Sequence, residues 1–468
     1  MKRNSTRRDQ RGSLLIVAMI LSAVIGISLV SYLSLGRTAM TISNRAFYNN
    51  GAMNLAENGL ERAAFALNKK VADPTFDWAT NGWTISGTNA RQKWTNNAFD
   101  QGAVGSVRSY VYNYAAGVSP RIVTRSTVQL GGSDSPPIEK WIEVQLRKTS
   151  RFSSGLVAKE SIVFDGNNAT VDSWDSDPDN LAATPAIPYS AGVSRDNGTV
   201  GSVSVAVNAV LVQNADIWGY AATGGSLPQV GPNGLVGPFG TPLGSMDMSR
   251  VSTDFTASFD PVSNPAGGTT IAAIVASDLP RTLGTAGVST QLRVSSVSGS
   301  GNSNKTLTIL GDVTLVITAS PATNAMVFDG SSNISIAPGA SLKIYTEGNI
   351  NIGGNGVANG GTTAATANQP INFQVWGTRS NTTQTITVVG NGVLSGVVYA
   401  PNATVTINGN GNVMGSIVAN NIRFTGNAAF NYDESLARMT AGSPFRVAQW
   451  KELTTAADRA LYNSVLSW

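Results

Sequence analysis

The sequence predicts a mixed, mainly β protein. A long N-terminal transmembrane and amphipathic helix comes first, then a small α+β unit. A parallel β-helix (a β-solenoid) with an irregular insertion follows, closed by a C-terminal capping helix. Three observations predict this. No residue from Ser13 to Gly36 is charged. The same run continues into apolar residues at helical spacing. Near the C-terminus a Gly- and Asn-rich pattern repeats with an offset of 19 residues.

Composition narrows the function classes. Only 13% of residues are charged, and Gly alone accounts for 49 positions, which favours strands joined by turns over helical bundles. There is no Cys and no His. That removes disulfides, thiolate chemistry, Ser-His-Asp triads and nearly all zinc sites. The formal net charge is +4. Residues 1–12 carry Lys2, Arg3, Arg7, Arg8 and Arg11 against Asp9, five minus one, so the remainder is neutral. The basic balance belongs to the leader and implies no nucleic-acid partner.

The leader, residues 1–12, ends in Gly12. The apolar run 13–36 includes Leu14, Leu15, Ile16, Val17, Ile20, Leu21, Val24, Leu29 and Leu33. A bilayer core needs about 20 apolar residues in a helix, and a secretory signal core is only about 7–15. This run is long enough to span, and the basic flank ahead of it places the N-terminus in the cytoplasm. Beyond it, Ile42, Ala46, Met53, Ala56, Leu60, Ala63 and Leu67 form one apolar stripe on a continuing helix. Gly51 and Gly59 weaken its interior and allow bending. Asp73-Pro74 ends it. Residues 37–150 complete the amphipathic stem and the α+β unit, in which Arg121–Leu130 and Glu139–Arg147 alternate as an antiparallel hairpin.

A short basic leader ending in Gly12, a small first residue Ser13 and an apolar helix that runs on as a stem together resemble the class III signal of type IV pilins and pseudopilins. "NLAENGLERAAFAL" (Asn54–Leu67) resembles the stem of PilX-type pilus assembly proteins, and the atypical tip pseudopilin of type II secretion is similar in the same region. The resemblance implies cleavage between Gly12 and Ser13 by a prepilin peptidase, and methylation of the new amino terminus. It also implies packing against other pilins or pseudopilins through the helix. Major pilins carry Glu at the fifth mature position, where this chain has Val17. A carboxylate persists in lipid only if paired and useful, so its absence points to a minor or tip component. An uncleaved signal anchor is the alternative reading of the same residues.

After Arg151 the helical periodicity vanishes. "VVGNGVLSGVVYAPNATVT" (Val388–Thr406) aligns with "INGNGNVMGSIVANNIRFT" (Ile407–Thr425). Gly390, Gly392 and Gly396 map onto Gly409, Gly411 and Gly415 as coil turns, Ala400 onto Ala419 and Val405 onto Phe424. Such a period with short β runs is the signature of a parallel solenoid. "VFDGNNATV" (Val163–Val171) and "VFDGSSNISI" (Val327–Ile336) echo one another. The β-helix domain is therefore placed at 151–440, with an irregular insertion over about 172–304 and the main stack from about Leu307. Within the insertion, residues 220–245 read as a loop excursion. "VDSWDS" (Val171–Ser176) and "FNYDESL" (Phe430–Leu436) resemble the β domain that follows PilX-type N-termini. Bactofilins are similar in coil style but lack the stem. Trp450, Leu453, Ala457, Leu461 and Val465 fall at helical steps and predict a helical cap over 441–468.

The candidate sites are few. "GNGVLSG" lacks the spacing and following helix of a dinucleotide-binding loop. Asp175, Asp177 and Asp179 alternate as hard oxygen ligands for Ca²⁺ can, but the glycine and closing glutamate of an EF-hand loop are missing. From Leu307 to Tyr432 the charged residues Asp312, Asp329, Lys343, Glu347, Arg379 and Arg423 form no cluster of the kind glycan-cleaving enzymes need. Trp174, Trp218 and Trp376 are candidates for glycan contact or for the core. The sequence thus predicts a non-catalytic pilin-like subunit without cofactor. It is expected in the inner membrane, single-pass, with its C-terminal domain periplasmic or on a surface pilus and with a surface or glycan ligand. The rival readings are an unprocessed β-helix adhesin and a bactofilin-like polymerising scaffold.

Overall fold

The computed structural model describes residues 10–73, 75–114, 119–130, 136–166, 168–181, 184–301, 305–321, 323–380, 383–389, 394–409, 412–440 and 443–468. The protein is mainly β with one long apolar N-terminal helix. Two compact units divide it: Met1–Lys148 with Gly442–Trp468, and Thr149–Ala441. In the chain, the second unit is an insertion within the first.

In the first unit, α1 (Gln10–Ala72) is a helix of 63 residues, about 95 Å long at about 1.5 Å per residue. Lys69 and Lys70 stand in its last turn, where cations favour the carbonyl end of the helix. Asp73 then turns the chain, its carboxylate accepting the Thr75 N–H at 3.0 Å. Five strands follow in an antiparallel meander: β1 (Thr84–Ser86), β2 (Asn89–Ala98), β3 (Val104–Tyr112), β4 (Arg121–Gln129) and β5 (Ile138–Lys148). The expected β4–β5 pairing places Ile122 opposite Val144 and Thr124 opposite Ile142. A sixth strand, Phe445–Glu452, joins β5 antiparallel after the chain returns from the second unit.

Alternation gives this sheet two covered faces. Ile122, Ile142, Val144 and Leu146 pack with Ala56, Ala63, Ala66 and Leu67 of α1. Val123 and Trp141 point the other way and pack with Leu453, Tyr462 and Leu466. The helical cap expected over 441–468 is therefore corrected. Phe445–Glu452 is a strand, and the short helices Ala456–Ala460 and Asn463–Leu466 cover the sheet of the first unit. Trp450 and Leu453 belong to a strand and its end, so their helical spacing to Ala457 crosses an element boundary.

The stem stripe is also corrected. Ile42 and Ala46 are exposed, and burial begins at Tyr48 and runs through Ala52, Leu55, Ala56, Ala63 and Leu67. Small residues face the sheet, which lets the helix backbone come close. A Cβ at Gly59 would lie 2.6 Å from Val107 Cγ2 and 2.8 Å from Ser109 Oγ. The glycine serves close approach rather than bending. Sheet hydroxyls use that proximity: Ser109 donates to Gly59 O at 3.0 Å and Ser126 to Ala52 O at 2.6 Å.

In the second unit, 25 strands of the described residues pair into one parallel sheet. From Arg281 to Asn359 each strand pairs with the strand three places later. Every third strand thus lies parallel beside the one before it, one strand spacing on. In the first ladder Leu292, Leu315, Ile344, Val375, Val398 and Ile417 stand in register. The ladder then passes from Ile417 to Leu156, Val200 and Ala221, which lie far earlier in the chain. The other two ladders make the same jump, Ile422 to Ile162 and Phe430 to Val171. These ladder residues form one continuous buried cluster.

The stacking order is therefore not the chain order. The chain starts in the middle of the stack, builds to one end by Ser252, crosses to the opposite end, and winds back to meet its own first strand. The crossing is an extended segment from Phe255 to Ala266. It receives bonds from Tyr399 Oη to Asp260 O at 3.0 Å and from Arg293 Nη1 to Pro265 O at 2.9 Å. Lys159 lies over the Phe259 ring at 5.5 Å. Eleven extended residue steps span about 37 Å, and the eight ladder steps from Leu292 to Ala221 span about 38 Å at about 4.8 Å each. The lengths match, so the crossing runs taut along one face.

Three sequence expectations change here. The segment 172–304 is not an irregular insertion: Gly198–Ser202, Val210–Gln213 and Asp216–Thr223 extend the ladders in parallel. Strands within 220–245, such as Leu235–Gly237, do so too. The main stack begins before Leu307, since Arg281–Leu283 already pairs with Thr306–Ile309. Val405 pairs with Ile422 rather than Phe424, because the chain takes four residues from Ala400 to Thr404 where the next coil takes two, from Ala419 to Asn421.

Candidate functional site

The apolar part of α1 is the most exposed hydrophobic surface of the described residues. Leu14, Leu15, Ile16, Val17, Ile20, Leu21, Val24, Leu29 and Leu33 are each more than half exposed. Gly12 and Ser13 fall within the helical backbone, and nothing further is described of them. Among the described residues, this is the one helix long and apolar enough to cross a membrane. Exposed apolar side chains continue past the uncharged run at Met40, Ile42 and Phe47. The first carboxylate on the helix is Glu57, so the whole exposed portion carries no acid.

The turn glycines divide. Gly390, Gly392 and Gly411 lie outside the described residues. Gly409 has the expected positive φ, +109°. Gly396 and Gly415 lie within the strands Leu394–Asn408 and Asn412–Thr425, directly opposite each other, rather than in turns. A Cβ on Gly415 would lie 2.0 Å from Gly396 O, and Gly415 has φ +130°. They mark the bend where each long strand passes from one ladder to the next.

The acidic stretch meets the other recognisable segment of the sequence, 430–436. Asp433 is fully buried and accepts the Ser176 N–H and hydroxyl at 3.0 and 2.7 Å, and the Ser435 N–H and hydroxyl at 3.1 and 2.8 Å. Asp172 accepts from Asn431 Nδ2 and Tyr189 Oη. Burial holds both carboxyls above the usual carboxylate range, with these hydrogen bonds pulling the other way. Burial also pushes Asp175 up, but the Arg438 hydrogen bond, the Asp177 N–H and the charges of Arg438 and Arg195 outweigh it, so its net shift is down. Arg438 sits 2.7 Å and Arg195 3.6 Å from Asp175. Glu434 completes the network at 2.9 Å from Arg195 and 2.8 Å from Ser173 Oγ.

This geometry answers the calcium reading. Asp175 is ion-paired, Asp177 accepts the Leu181 N–H at 3.2 Å, and Asp179 accepts the same N–H and the Thr184 hydroxyl. Among the described residues no three acidic side chains gather to hold a metal ion. The carboxylates close the polypeptide where it enters and leaves the second unit. Three charged residues of the main stack also make structural bonds. Asp312 accepts the Ser341 hydroxyl at 2.6 Å. Arg379 donates to Glu347 O and Thr383 O at 2.7 Å each, and Arg423 pairs with Asp165.

Two of the three aromatic candidates belong to the interior. Trp174 is buried with its Nε1 donating to Ile187 O at 3.0 Å, and Trp376 is buried and stacked on Tyr345 at 6.0 Å. Trp218 is half-buried beside Phe239. Another aromatic cluster lies in the first unit, where a cleft of about 500 Å³ opens between α1 and β2, lined by the exposed Phe65, the half-buried Phe76 and Trp94 and the buried Trp83. No motif marked it. The sequence signal was only the density of aromatics from Phe76 to Trp94.

A family model described as "Domain of unknown function (DUF7305)" matches residues 298–439, within the laddered unit. No curated protein matches the sequence. Among solved structures the chain is similar to the competence-associated pilin ComZ from Thermus thermophilus. That likeness has 14% identity, covers 86% of this chain and 97% of that one, and has a TM-score of 0.25.

Proposed function

We propose that this chain is a non-catalytic, pilin-like subunit, a minor or tip component of a type IV pilus or related secretion apparatus. In this reading Leu14–Leu35 anchors it in the inner membrane, with the N-terminus cytoplasmic and the folded units periplasmic. Prepilin peptidase cleaves between Gly12 and Ser13, and the freed helix later packs against other pilins or pseudopilins. The three ladders are the faces of a parallel β-helix presented outward. The observation that carries the reading is the continuity of α1. One helix is exposed from Leu14 to Phe47, uncharged and mainly apolar as far as Gly36, and then, from Tyr48, is buried against an antiparallel sheet. A membrane anchor that is also the core helix of the folded head suits a subunit whose helix must leave the bilayer and enter a fibre.

Intact mass of the membrane-extracted protein tests it. Loss of residues 1–12 in cells with active prepilin peptidase, and their retention when the peptidase is inactivated, is the expected result. Retention in both cells refutes the proposal and leaves the unprocessed adhesin. The bactofilin-like alternative requires end-to-end stacking of the laddered unit, and filaments formed by the full chain without any pilus machinery would favour it.

A further inference from the structure

The cleft between α1 and β2 has two kinds of wall. Trp83 and Trp94 meet nearly at right angles, 83° with centroids 5.8 Å apart. Phe65, 67% exposed on α1, and Phe76 complete the apolar surface. The corner is built rather than accidental. Trp83 is itself braced from behind by the buried Trp78, at 5.0 Å and 73°, and Trp94 by the Arg62 guanidinium at 5.0 Å.

The polar wall has hydrogen-bonding capacity left over. Gln92 Nε2 reaches Asn81 O at 3.4 Å, and its Oε1 has no partner among the described residues. Asn81 spends its Nδ2 on Asp77 O at 2.7 Å, and its Oδ1 likewise stays unpaired. Glu61 lines the same cleft and has no hydrogen-bond or ion-pair partner among the described residues. One acid, one arginine and two amides leave the site without net charge, which disfavours an anionic or cationic ligand.

We infer that this cleft binds a neutral saccharide the size of a disaccharide. A pyranose ring offers one flat C–H face for an aromatic plate and a rim of hydroxyl donors, and this cleft sets the exposed Phe65 ring and the partly exposed Phe76 and Trp94 beside the side-chain oxygens of Glu61, Asn81 and Gln92. A volume of about 500 Å³ lies within the range of small-molecule sites, about 300–1,000 Å³. A purely apolar ligand would displace water from the side chains of Glu61, Asn81 and Gln92 that line the cleft without replacing its hydrogen bonds, at a cost to affinity. The inference does not depend on leader processing and would hold for a subunit or an unprocessed adhesin alike.

The test uses the full chain in lipid nanodiscs, with cellobiose, lactose and N,N′-diacetylchitobiose as probes and octanoate as the probe of a simply apolar groove. Tryptophan fluorescence and saturation-transfer NMR read binding. Saturable binding of at least one disaccharide is expected, weakened by about tenfold or more in both Phe65→Ser and Gln92→Ala. Both side chains are at or near the surface, and circular dichroism confirms that each variant is folded. No disaccharide binding, binding by octanoate alone, or disaccharide binding unchanged in both folded variants each overturns the inference.

Discussion

Asp433 accepts the backbone N–H of Ser176 at 3.0 Å, across 257 positions of sequence. With the Ser176 hydroxyl and both Ser435 donors, that carboxylate ties the beginning of the laddered unit to its end. Its replacement by alanine leaves two buried amide donors unmade, each costing about 1–3 kcal/mol. We expect Asp433→Ala to lower the urea midpoint of the laddered unit markedly and Asp433→Asn to lower it little, because a carboxamide oxygen still accepts both amides. Equal midpoints for wild type and Asp433→Ala contradict this role.

The same carboxyl predicts a pH dependence of definite sign. Burial raises Asp433 above its unfolded value. Between the ordinary carboxylate range and the raised value, the folded state binds more protons than the unfolded one. Its contribution to stability therefore falls as pH rises through that window. Asp175, shifted down, behaves oppositely: its contribution is present above the ordinary range and is lost as pH falls through its lowered value. Asp433→Asn should flatten the decline on the neutral side and leave the acid limb in place. Urea midpoints across a pH series decide it, and an undiminished decline in the variant excludes Asp433 as the source.

Gly59 predicts a steric limit in the first unit. Alanine there gains about 1 kcal/mol of helix propensity. Its Cβ, however, meets Val107 Cγ2 at 2.6 Å and Ser109 Oγ at 2.8 Å, and overpacking of this kind costs about 1–3 kcal/mol. It also presses on the Ser109–Gly59 hydrogen bond. Gly59→Ala should lower thermal stability, whereas Gly26→Ala, with nothing within 4 Å of its Cβ, should not. A stabilised Gly59→Ala shows that the helix can shift outward at no cost.

How far these features were legible in the sequence follows from their range. The 19-residue repeat correctly opposed Gly396 to Gly415 and Ala400 to Ala419, because a coil's register is carried by neighbouring residues. It failed at Val405, since a corner two residues longer shifts everything after it. The stacking of Ile417 on Leu156 was not legible, because a ladder constrains which residues oppose, not which coil comes next. Two echoing segments, Val163–Val171 and Val327–Ile336, did hint that the early residues share the coil. The final strand was read as helix because Trp450, Leu453 and Ala457 fit helical spacing by chance, while the partner that makes it a strand, β5, lies three hundred residues earlier. The aromatic cleft escaped because its polar wall joins the helix to a strand some thirty residues on.

The membrane reading predicts a position-dependent response to charge. An arginine at the centre of a spanning helix costs about 2.5–3.5 kcal/mol on the insertion scale. Ile25→Arg should therefore move protein out of the carbonate-resistant membrane fraction. Ile42→Arg, on the same exposed helix but beyond the uncharged run, should not. Identical fractionation of the two variants removes the assignment of 13–36 as the span.

The taut crossing from Phe255 to Ala266 predicts a segment that can be loosened without dissolving the stack it covers. Arg293 Nη1 donates to both Pro265 O and Gly267 O at 2.9 Å, and Tyr399 Oη donates to Asp260 O at 3.0 Å. Arg293→Ala removes the bonds to Pro265 O and Gly267 O and Tyr399→Phe the bond to Asp260 O, each worth about 0.5–1.5 kcal/mol net. The ladders beneath are held by their own backbone pairing and buried apolar residues; Tyr399→Phe keeps the buried ring that Tyr399 contributes to them, and Arg293 is only partly buried. The double variant should therefore show faster hydrogen exchange and earlier proteolytic cleavage between residues 255 and 268, with the exchange of Leu315, Ile344 and Val375 unchanged. Simultaneous loss of protection in those ladder residues would show instead that the crossing holds the stack together, and that the ladders cannot stand without the segment that joins their two ends.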